Sequence, residues 1–315
     1  MKKLFILLVL VVFGSCSQDS EESLNPMALE TSLSVLDGGL LSYKDDASFI
    51  KEYSALSELK TAKEVQNWIS KKGHKSLLYN TNDTIDLQND VVDDKRIIYS
   101  DAIKAILNNE SKFEINGEVI WLNGRSLFIL TEGNRNKTPL ELTSLINKLD
   151  VYGNLLNKSN LNKQSVTGSA YRGVIPNENR SKTYVVASTR GRHVIDLYNE
   201  TIVLNDQIAS SKMFLRFTPQ YRSCSFWRCT WKTENSEAWR IFSGNLSTTM
   251  NEWTMISYNT ISGTPFYGQN TFLIATWGIY VPQIPLYQNF NVSGYVEFFD
   301  PSVGNPGYRT SLSWF

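Results

Sequence analysis

Cys224 and Cys229 are the pair of side chains whose spacing most directly suggests a covalent reaction, the formation of a disulfide bridge. On one continuous strand their Cα atoms would lie about 16 Å apart, at about 3.3 Å per residue. A bridge needs these atoms within about 7 Å, so it requires a turn over residues 225–228. The alternation of Trp227, Cys229 and Trp231 favours a single strand instead. The sequence leaves both arrangements open.

Cys16 is the residue at which the sequence indicates lipid attachment. Two lysines precede an apolar run over residues 4–13, which is shorter than the roughly 20 residues of a transmembrane helix and is typical of a signal peptide. Gly14 and Ser15 then stand directly before Cys16, and this arrangement resembles the lipobox of bacterial lipoproteins. The resemblance implies a signal peptide over residues 1–15 and acylation of the Cys16 thiol, which becomes the new N-terminus. An ordinary cleaved signal beside an unmodified cysteine is the alternative.

Residues 16–31 are expected to form an acidic, flexible tether, because their polar beginning cannot pack a core. The acidic stretch of residues 17–22 resembles the export signal of surface-displayed lipoproteins in gut-type Gram-negative bacteria, and a plain solvated spacer is the alternative. The resemblance implies an outer-membrane protein that is anchored by lipid and faces the cell exterior. An exported chain meets an oxidising compartment, which permits the disulfide.

Arginine stands beside aromatic residues at three places in the second half of the chain. The residues are Tyr221, Arg222, Trp227, Arg228, Trp239 and Arg240. Arg, Trp and Tyr are enriched at binding hot spots because they combine large contact area with directed hydrogen bonds. The set predicts a surface that binds a glycan or a protein. The same aromatic side chains also fill the cores of β-sandwiches, which is the alternative interpretation.

Other catalytic or metal-binding patterns are sparse. The only histidines, His74 and His193, lack the spacing of metal ligands. No nucleophile elbow, phosphate loop or dinucleotide-binding motif is present. Asp196 and Glu200 would lie about 13 Å apart on an extended strand, too far for a glycosidase pair at about 5 to 9.5 Å. We therefore expect no cofactor and no metal, and a hydrolase is the function that the sequence favours least.

One three-residue motif suggests a further modification. Asp83-Thr84-Ile85 resembles the short sequon used for O-glycosylation of exported proteins in the same bacteria. The motif lies in a stretch rich in Asn and Asp that is predicted to be a loop. Glycosylation of Thr84 is one interpretation, and an unmodified loop is the other.

Charge and composition indicate two differently built domains. The 315 residues contain 31 Lys and Arg and 31 Asp and Glu, and this neutral balance gives no basis for nucleic-acid binding. The first half is nevertheless net acidic and rich in Lys, whereas the second half is net basic and rich in Arg. Six of the eight Trp also lie in the second half.

Residues 32–152 predict a small α+β domain. Helices should begin after the N-caps Asp45 or Asp46, Thr61, Ser100 and Thr138, with Glu64 completing a capping box at the second. Asn116-Gly117 and Asn123-Gly124 are strong turn signals between short antiparallel strands.

The first half of the chain also resembles a family of uncharacterised outer-membrane lipoproteins from gut-type Gram-negative bacteria. The similarity covers roughly residues 33–130, together with the two helices predicted after residue 45. The matching stretches are Leu33-Ser34-Val35-Leu36-Asp37-Gly38-Gly39-Leu40-Leu41-Ser42-Tyr43-Lys44-Asp45, Lys75-Ser76-Leu77-Leu78 and Asn116-Gly117-Glu118-Val119-Ile120-Trp121. The resemblance implies a secreted, lipid-anchored protein without an established activity, and it carries no functional residues.

Residues 153–170 are rich in Asn, Ser, Lys and Gly and predict a linker. Beyond them the apolar period changes to two, and residues 171–315 therefore predict an all-β sandwich or jelly-roll-like domain. The predicted function is a lipid-anchored envelope protein whose β domain binds a glycan or a protein. A structural component of an envelope or fimbrial complex is the alternative.

Overall fold

The computed structural model describes residues 33–79, 92, 97–155, 181–187, 191–204, 207–233, 239–250, 253–261, 265–279, 290–299 and 308–314. The lipidation site Cys16, the tether of residues 16–31 and Thr84 lie outside the described residues, as does most of the predicted linker. Residues Thr31–Phe315 form one compact unit.

The first half alternates short strands with four helices. Its elements are β1 Ser34–Asp37, β2 Leu40–Tyr43, α1 Asp46–Ser57, α2 Ala62–Lys72, α3 Asp101–Ile106, β3 Lys112–Ile115, β4 Glu118–Asn123, β5 Ser126–Leu130, α4 Pro139–Leu145 and β6 Val151–Leu155. The N-caps are Asp45, Thr61, Ser100 and Thr138, and each accepts a hydrogen bond from a backbone N–H of its helix. The helix starts predicted from local capping signals are therefore confirmed.

The described residues of the second half form strands joined by turns and short irregular segments, with no helix among them. These are β7 Ser181–Ala187, β8 Gly191–Leu204, β9 Gln207–Ser225, β10 Arg228–Thr233, β11 Trp239–Met250, β12 Trp253–Tyr258, β13 Pro265–Tyr267, β14 Asn270–Ile279, β15 Phe290–Phe299 and β16 Tyr308–Trp314. The fold as a whole is largely β.

The strands form two sheets. A twelve-stranded mixed sheet has the order β1-β2-β3-β4-β5-β6-β8-β9-β14-β12, with β7 paired to β8 and β10 paired to β9. A four-stranded sheet has the order β13-β11-β15-β16. In the large sheet β2 and β3 run parallel, whereas the other recorded neighbours are antiparallel.

The large sheet continues from the first half of the chain into the second through β6 and β8. Gly153 lies opposite Leu204, and Leu155 lies opposite Ile202. The predicted linker begins at residue 153, and its first three residues belong to β6. Strands of the two predicted domains are thus hydrogen-bonded neighbours in one sheet.

The two faces of β8 and β9 pack against different partners. Ile195, Leu197, Leu215 and Phe217 share a core with residues of the four-stranded sheet, including Leu246 and Leu312. The opposite face carries buried polar residues and meets the helical layer. There the Tyr53 phenol in α1 donates a hydrogen bond of 2.7 Å to Glu200 in β8. The long strands therefore lie between helices on one side and a second sheet on the other.

Ser34 connects β1 to the helices α1 and α2 through hydrogen bonds. Its hydroxyl donates a hydrogen bond of 2.6 Å to Glu52 in α1. The Lys72 ammonium in α2 lies 2.7 Å from the Ser34 hydroxyl and 2.8 Å from the Glu52 carboxylate. Ser34 and Glu52 are both buried. The buried carboxylate is thus compensated by a cation and a hydroxyl, as burial of a charge requires.

Candidate functional site

Strands β9 and β10 form a hairpin that extends past the ends of the described strands beside it. The last residue of β9 that pairs with β8 is Tyr221, opposite Gly191. Residues 222–225 then pair with β10 alone among the described strands. At about 3.4 Å per residue, this part of the hairpin extends about 14 Å beyond the end of β8. Phe226 and Trp227 form the turn at its tip.

The disulfide lies directly behind this turn. Cys224 and Cys229 are opposite each other on β9 and β10, with their Cα atoms 4.0 Å apart, and their sulfur atoms are bonded. The chain turns back at Phe226-Trp227, so the single continuous strand suggested by the alternation of Trp227, Cys229 and Trp231 is not formed.

The hairpin brings together four of the six predicted ligand-binding residues. Phe226 is 100% exposed, Trp227 is 97% exposed and Tyr221 is 43% exposed. The Arg222 and Arg228 side chains are exposed as well. Arg222 lies 6.0 Å from the ring of the buried Trp231, to which the Arg192 guanidinium is closer at 4.4 Å.

Trp239 and Arg240 are not part of the hairpin. They begin β11 in the four-stranded sheet, where Trp239 lies opposite Tyr267 and Arg240 lies opposite Phe266. The side chains of Trp239 and Arg240 lie outside the described part of the structure. The six predicted residues therefore divide between two sheets.

A cleft of about 750 Å³ lies among the described residues. One wall is the turn between α1 and α2, residues 57–61, and the other is formed by residues 257–261 and 270–273 together with Phe266. The volume lies within the 300 to 1,000 Å³ that is usual for small-molecule sites. Asn270, which lines the cleft, is opposite Phe217 in β9, so about 27 Å of strand separates this wall from the hairpin tip.

The cleft combines apolar walls with neutral polar groups. Its apolar members are Leu59, Tyr258, Ile261, Phe266, Phe272 and Leu273, and its uncharged polar members are Ser57, Thr61, Ser257, Asn259, Thr260, Asn270 and Thr271. Glu58 and Lys60 are the two charged residues recorded in the lining, and their charges cancel. Such a surface offers hydrogen bonds and apolar contact without a net charge.

Local contacts hold both walls in place. The Glu64 carboxylate accepts hydrogen bonds of 2.8 and 2.9 Å from the backbone N–H groups of Lys60 and Thr61, because the predicted capping box with Thr61 is formed. On the facing wall, the Asn259 N–H donates to the Ile274 carbonyl at 2.8 Å. The Phe266 and Phe272 rings meet edge to face at 5.7 Å. The cleft is therefore largely preformed.

Thr271, which lines the cleft, contacts the beginning of α3. Thr271 donates a hydrogen bond of 3.2 Å to Asp101, the first residue of α3. The other oxygen of Asp101 lies 3.0 Å from the Lys104 ammonium. A smaller pocket of about 20 Å³ shares the lining residues Ser57, Leu59, Thr61, Asn270 and Thr271 with the cleft. Burial raises the pKa of the Tyr258 phenol on the wall, and a hydrogen bond with the Leu246 backbone opposes this rise.

Asp196 and Glu200 are buried and bound to other side chains. Asp196 forms an ion pair of 3.2 Å with Arg216, and Glu200 accepts hydrogen bonds from Tyr53 and Ser100. His74 and His193 are both buried. Within the described ranges, no three metal-ligating side chains come together. The helices described in this chain include none with the length and apolarity needed to cross a membrane.

No protein-family model, curated protein or solved structure matches the chain. The family resemblance of residues 33–130 therefore stays a prediction.

Sequence reasoning missed the cleft because its walls come from segments about 200 residues apart in the chain. The capping box at Thr61 was the one local signal in the region, and it indicates a helix start rather than a site. The juxtaposition follows from pairing in the large sheet, which no local pattern specifies.

Proposed function

We propose that this chain is a lipid-anchored outer-membrane protein that faces the cell exterior and binds a neutral oligosaccharide in the cleft whose walls are residues 57–61 and residues 257–261 and 270–273 with Phe266. Cys16 would carry the lipid and residues 16–31 would form the tether, as the lipobox-like arrangement and the acidic stretch after it suggest. The resemblance to uncharacterised outer-membrane lipoproteins is part of the same proposal.

The composition of the cleft carries the glycan assignment. A pyranose ring has apolar C–H groups on its faces and hydroxyl groups around its edge, and it has no charge. Tyr258 and Phe272 offer apolar surface to the ring faces, while Asn259, Thr260 and Asn270 offer donors and acceptors to the hydroxyls. A charged ligand would instead call for an excess of one sign, which the recorded lining lacks.

The test is a glycan array probed with the full chain, followed by calorimetry with the best neutral oligosaccharide. Tyr258→Ala should weaken binding about tenfold, equivalent to about 1.4 kcal/mol. Ile256→Ala is the matched control, because Ile256 lies on the same strand, is 68% exposed and is not among the recorded lining residues. A flat response across a broad set of neutral glycans would refute the proposal.

We further propose that the chain contains two differently built portions, an α+β portion of residues 32–152 and an all-β portion of residues 171–315, joined through residues 153–170. The step in charge and in Trp content between the halves supports this division. Limited proteolysis that cuts first within residues 156–180 would agree with it, and first cuts distributed evenly along the chain would not.

The anchor and the orientation have separate tests. Cys16→Ser should release the protein from the membrane fraction in high salt, which also screens any contact made through basic side chains, because a durable anchor depends on more than one acyl chain. Protease added to intact cells should degrade the protein if it faces outward. Protection from protease would place it on the inner face of the membrane.

A further inference from the structure

The tip of the β9–β10 hairpin exposes more aromatic surface than any other described turn. Phe226 and Trp227 are adjacent and almost fully exposed. Exposure of large aromatic side chains to water is unfavourable. An adjacent pair of them at the end of a hairpin therefore indicates a surface that a membrane or another molecule covers. The cleft does not account for this pair, because about 27 Å of strand separates them.

The described charged side chains of the hairpin are all basic. Arg228 follows the turn directly, and the exposed Arg222 and Lys232 lie farther back on the two strands. The sequence contains no acidic residue from 207 to 233. The hairpin thus has aromatic side chains at its tip and basic side chains behind them. A bilayer that contains anionic lipid favours this arrangement, because aromatic residues lie at its interface and basic residues bind its charged headgroups.

The geometry points to shallow membrane insertion. Interfacial elements bury their apolar groups about 5–10 Å into the headgroup and acyl boundary. The projecting hairpin of about 14 Å would then leave Arg222 and Lys232 near the headgroups, within roughly a Debye length of 10 Å. The disulfide between Cys224 and Cys229 fixes the turn beforehand, so that little conformational freedom is lost on contact.

We propose that Phe226 and Trp227 insert into an anionic lipid surface and give the protein a second membrane contact, independent of Cys16. A convex tip lacks the converging polar groups of a carbohydrate site, which favours the bilayer over a glycan. A protein partner is the competing occupant, and photo-crosslinking at position 227 distinguishes a lipid surface from a protein.

The first experiment places the full chain in vesicles of phosphatidylcholine with 30% phosphatidylglycerol, with or without bromine on the acyl chains. Emission of Trp227 is obtained as the difference between the parent and Trp227→Phe. Bromination should quench this difference emission by at least half. Difference emission that bromination leaves unchanged would overturn the proposal.

The second experiment tests the charges. Arg228→Gln with Lys232→Gln should reduce the quenching at least twofold in the anionic vesicles. Lys63→Gln with Lys71→Gln removes two exposed charges from α2 and should leave the quenching unchanged. Equal effects of the two double variants would contradict the role of the hairpin. Because all four side chains are exposed, unchanged thermal melting verifies that the variants fold.

A photo-crosslinking amino acid at position 227 in intact cells then identifies the occupant. Lipid adducts are expected. A single polypeptide adduct without lipid adducts would overturn membrane insertion and assign the tip to a protein partner. Neither result depends on the cleft, so the glycan proposal stands or falls separately.

Discussion

The phenol of Tyr53 donates a hydrogen bond of 2.7 Å to the carboxylate of Glu200, across 147 residues of chain. Ser100, the N-cap of α3, donates to the same carboxylate through its hydroxyl at 2.6 Å and through its backbone N–H at 3.0 Å. All three residues are buried. One carboxylate of the long strand β8 thus holds two helices of the first half in place.

Tyr53→Phe should lower the free energy of unfolding by about 1.5–3 kcal/mol, the usual value of a hydrogen bond to a charged group. The loss arises because the Glu200 carboxylate stays buried with one donor fewer. Urea denaturation measures the change. Tyr79→Phe is the control, since the Tyr79 phenol is exposed and donates only a long bond of 3.4 Å to Gln66. Equal stabilities of the two variants would contradict the role of Glu200.

Gly153→Ala should destabilise the protein by about 1–3 kcal/mol. A Cβ at Gly153 would lie 2.2 Å from the Val203 carbonyl oxygen, so the β6–β8 pairing would have to shift. Gly133→Ala is a matched control, because a Cβ there meets no atom within 4 Å. The comparison uses thermal or urea unfolding. An unchanged midpoint for Gly153→Ala would mean that the two strands are not closely packed in solution.

Replacement of both cysteines of the hairpin by serine should cost about 2 kcal/mol, as expected for a bridge that closes so short a loop. The bridge itself is tested by mass spectrometry of non-reduced protein. No thiol-reactive label should attach to Cys224 or Cys229 before reduction, and both should be labelled after it. Labelling of both residues without reduction would exclude the disulfide.

His74 should make the protein less stable in mild acid. Its Nε2 lies 2.7 Å from the Ala105 carbonyl, which only accepts, so the proton sits on Nε2, while Nδ1 has no hydrogen-bond partner among the described residues. Burial lowers the pKa of His74, and Lys72 adds to this, whereas the Ala105 carbonyl and Glu52 oppose it. A second proton would therefore enter a buried site without an acceptor.

The direction of the pH effect follows from the lowered pKa. Below the ordinary value of about 6.5, the unfolded chain binds a proton that the folded chain resists, so stability falls as the pH falls toward the folded-state pKa. Urea unfolding at pH 7.5 and 5.5 should show this loss in the parent, and His74→Gln should reduce it. An identical loss in both proteins would assign the effect to other groups.

The parts of the fold that local signals specify could be predicted from the sequence. Asp45, Thr61, Ser100 and Thr138 cap helices because their side chains satisfy backbone N–H groups a few residues away. Asn116 and Gly117 adopt the positive φ that their turn requires. At the second turn signal the positive φ is recorded at Gly124, whereas Asn123 is the last residue of β4.

Long-range relationships could not be predicted in the same way. Asp196, Glu200, Lys212 and Arg216 are charged residues of β8 and β9, and no local pattern shows that all four are buried. They are buried because β6 brings the first half alongside β8 and the helices cover that face. The same pairing brings the walls of the cleft together. The turn at the hairpin tip was one of two arrangements that the sequence left open. The alternation of Trp227, Cys229 and Trp231 suggested a continuous strand where the chain turns.

The contact of Ser34 with Glu52 and Lys72 also determines how the fold responds to tension. If the residues before Ser34 are attached to a membrane, a pulling force on the protein acts on the fold first at Ser34. Under this force the antiparallel strands β1 and β2 would separate one residue pair at a time, beginning with Ser34 and Tyr43. The Glu52 carboxylate and the Lys72 ammonium both bind the Ser34 hydroxyl and therefore stabilise this first residue pair. Under such tension, the contacts of Ser34 with Glu52 and Lys72 would be among the first side-chain contacts to bear the load.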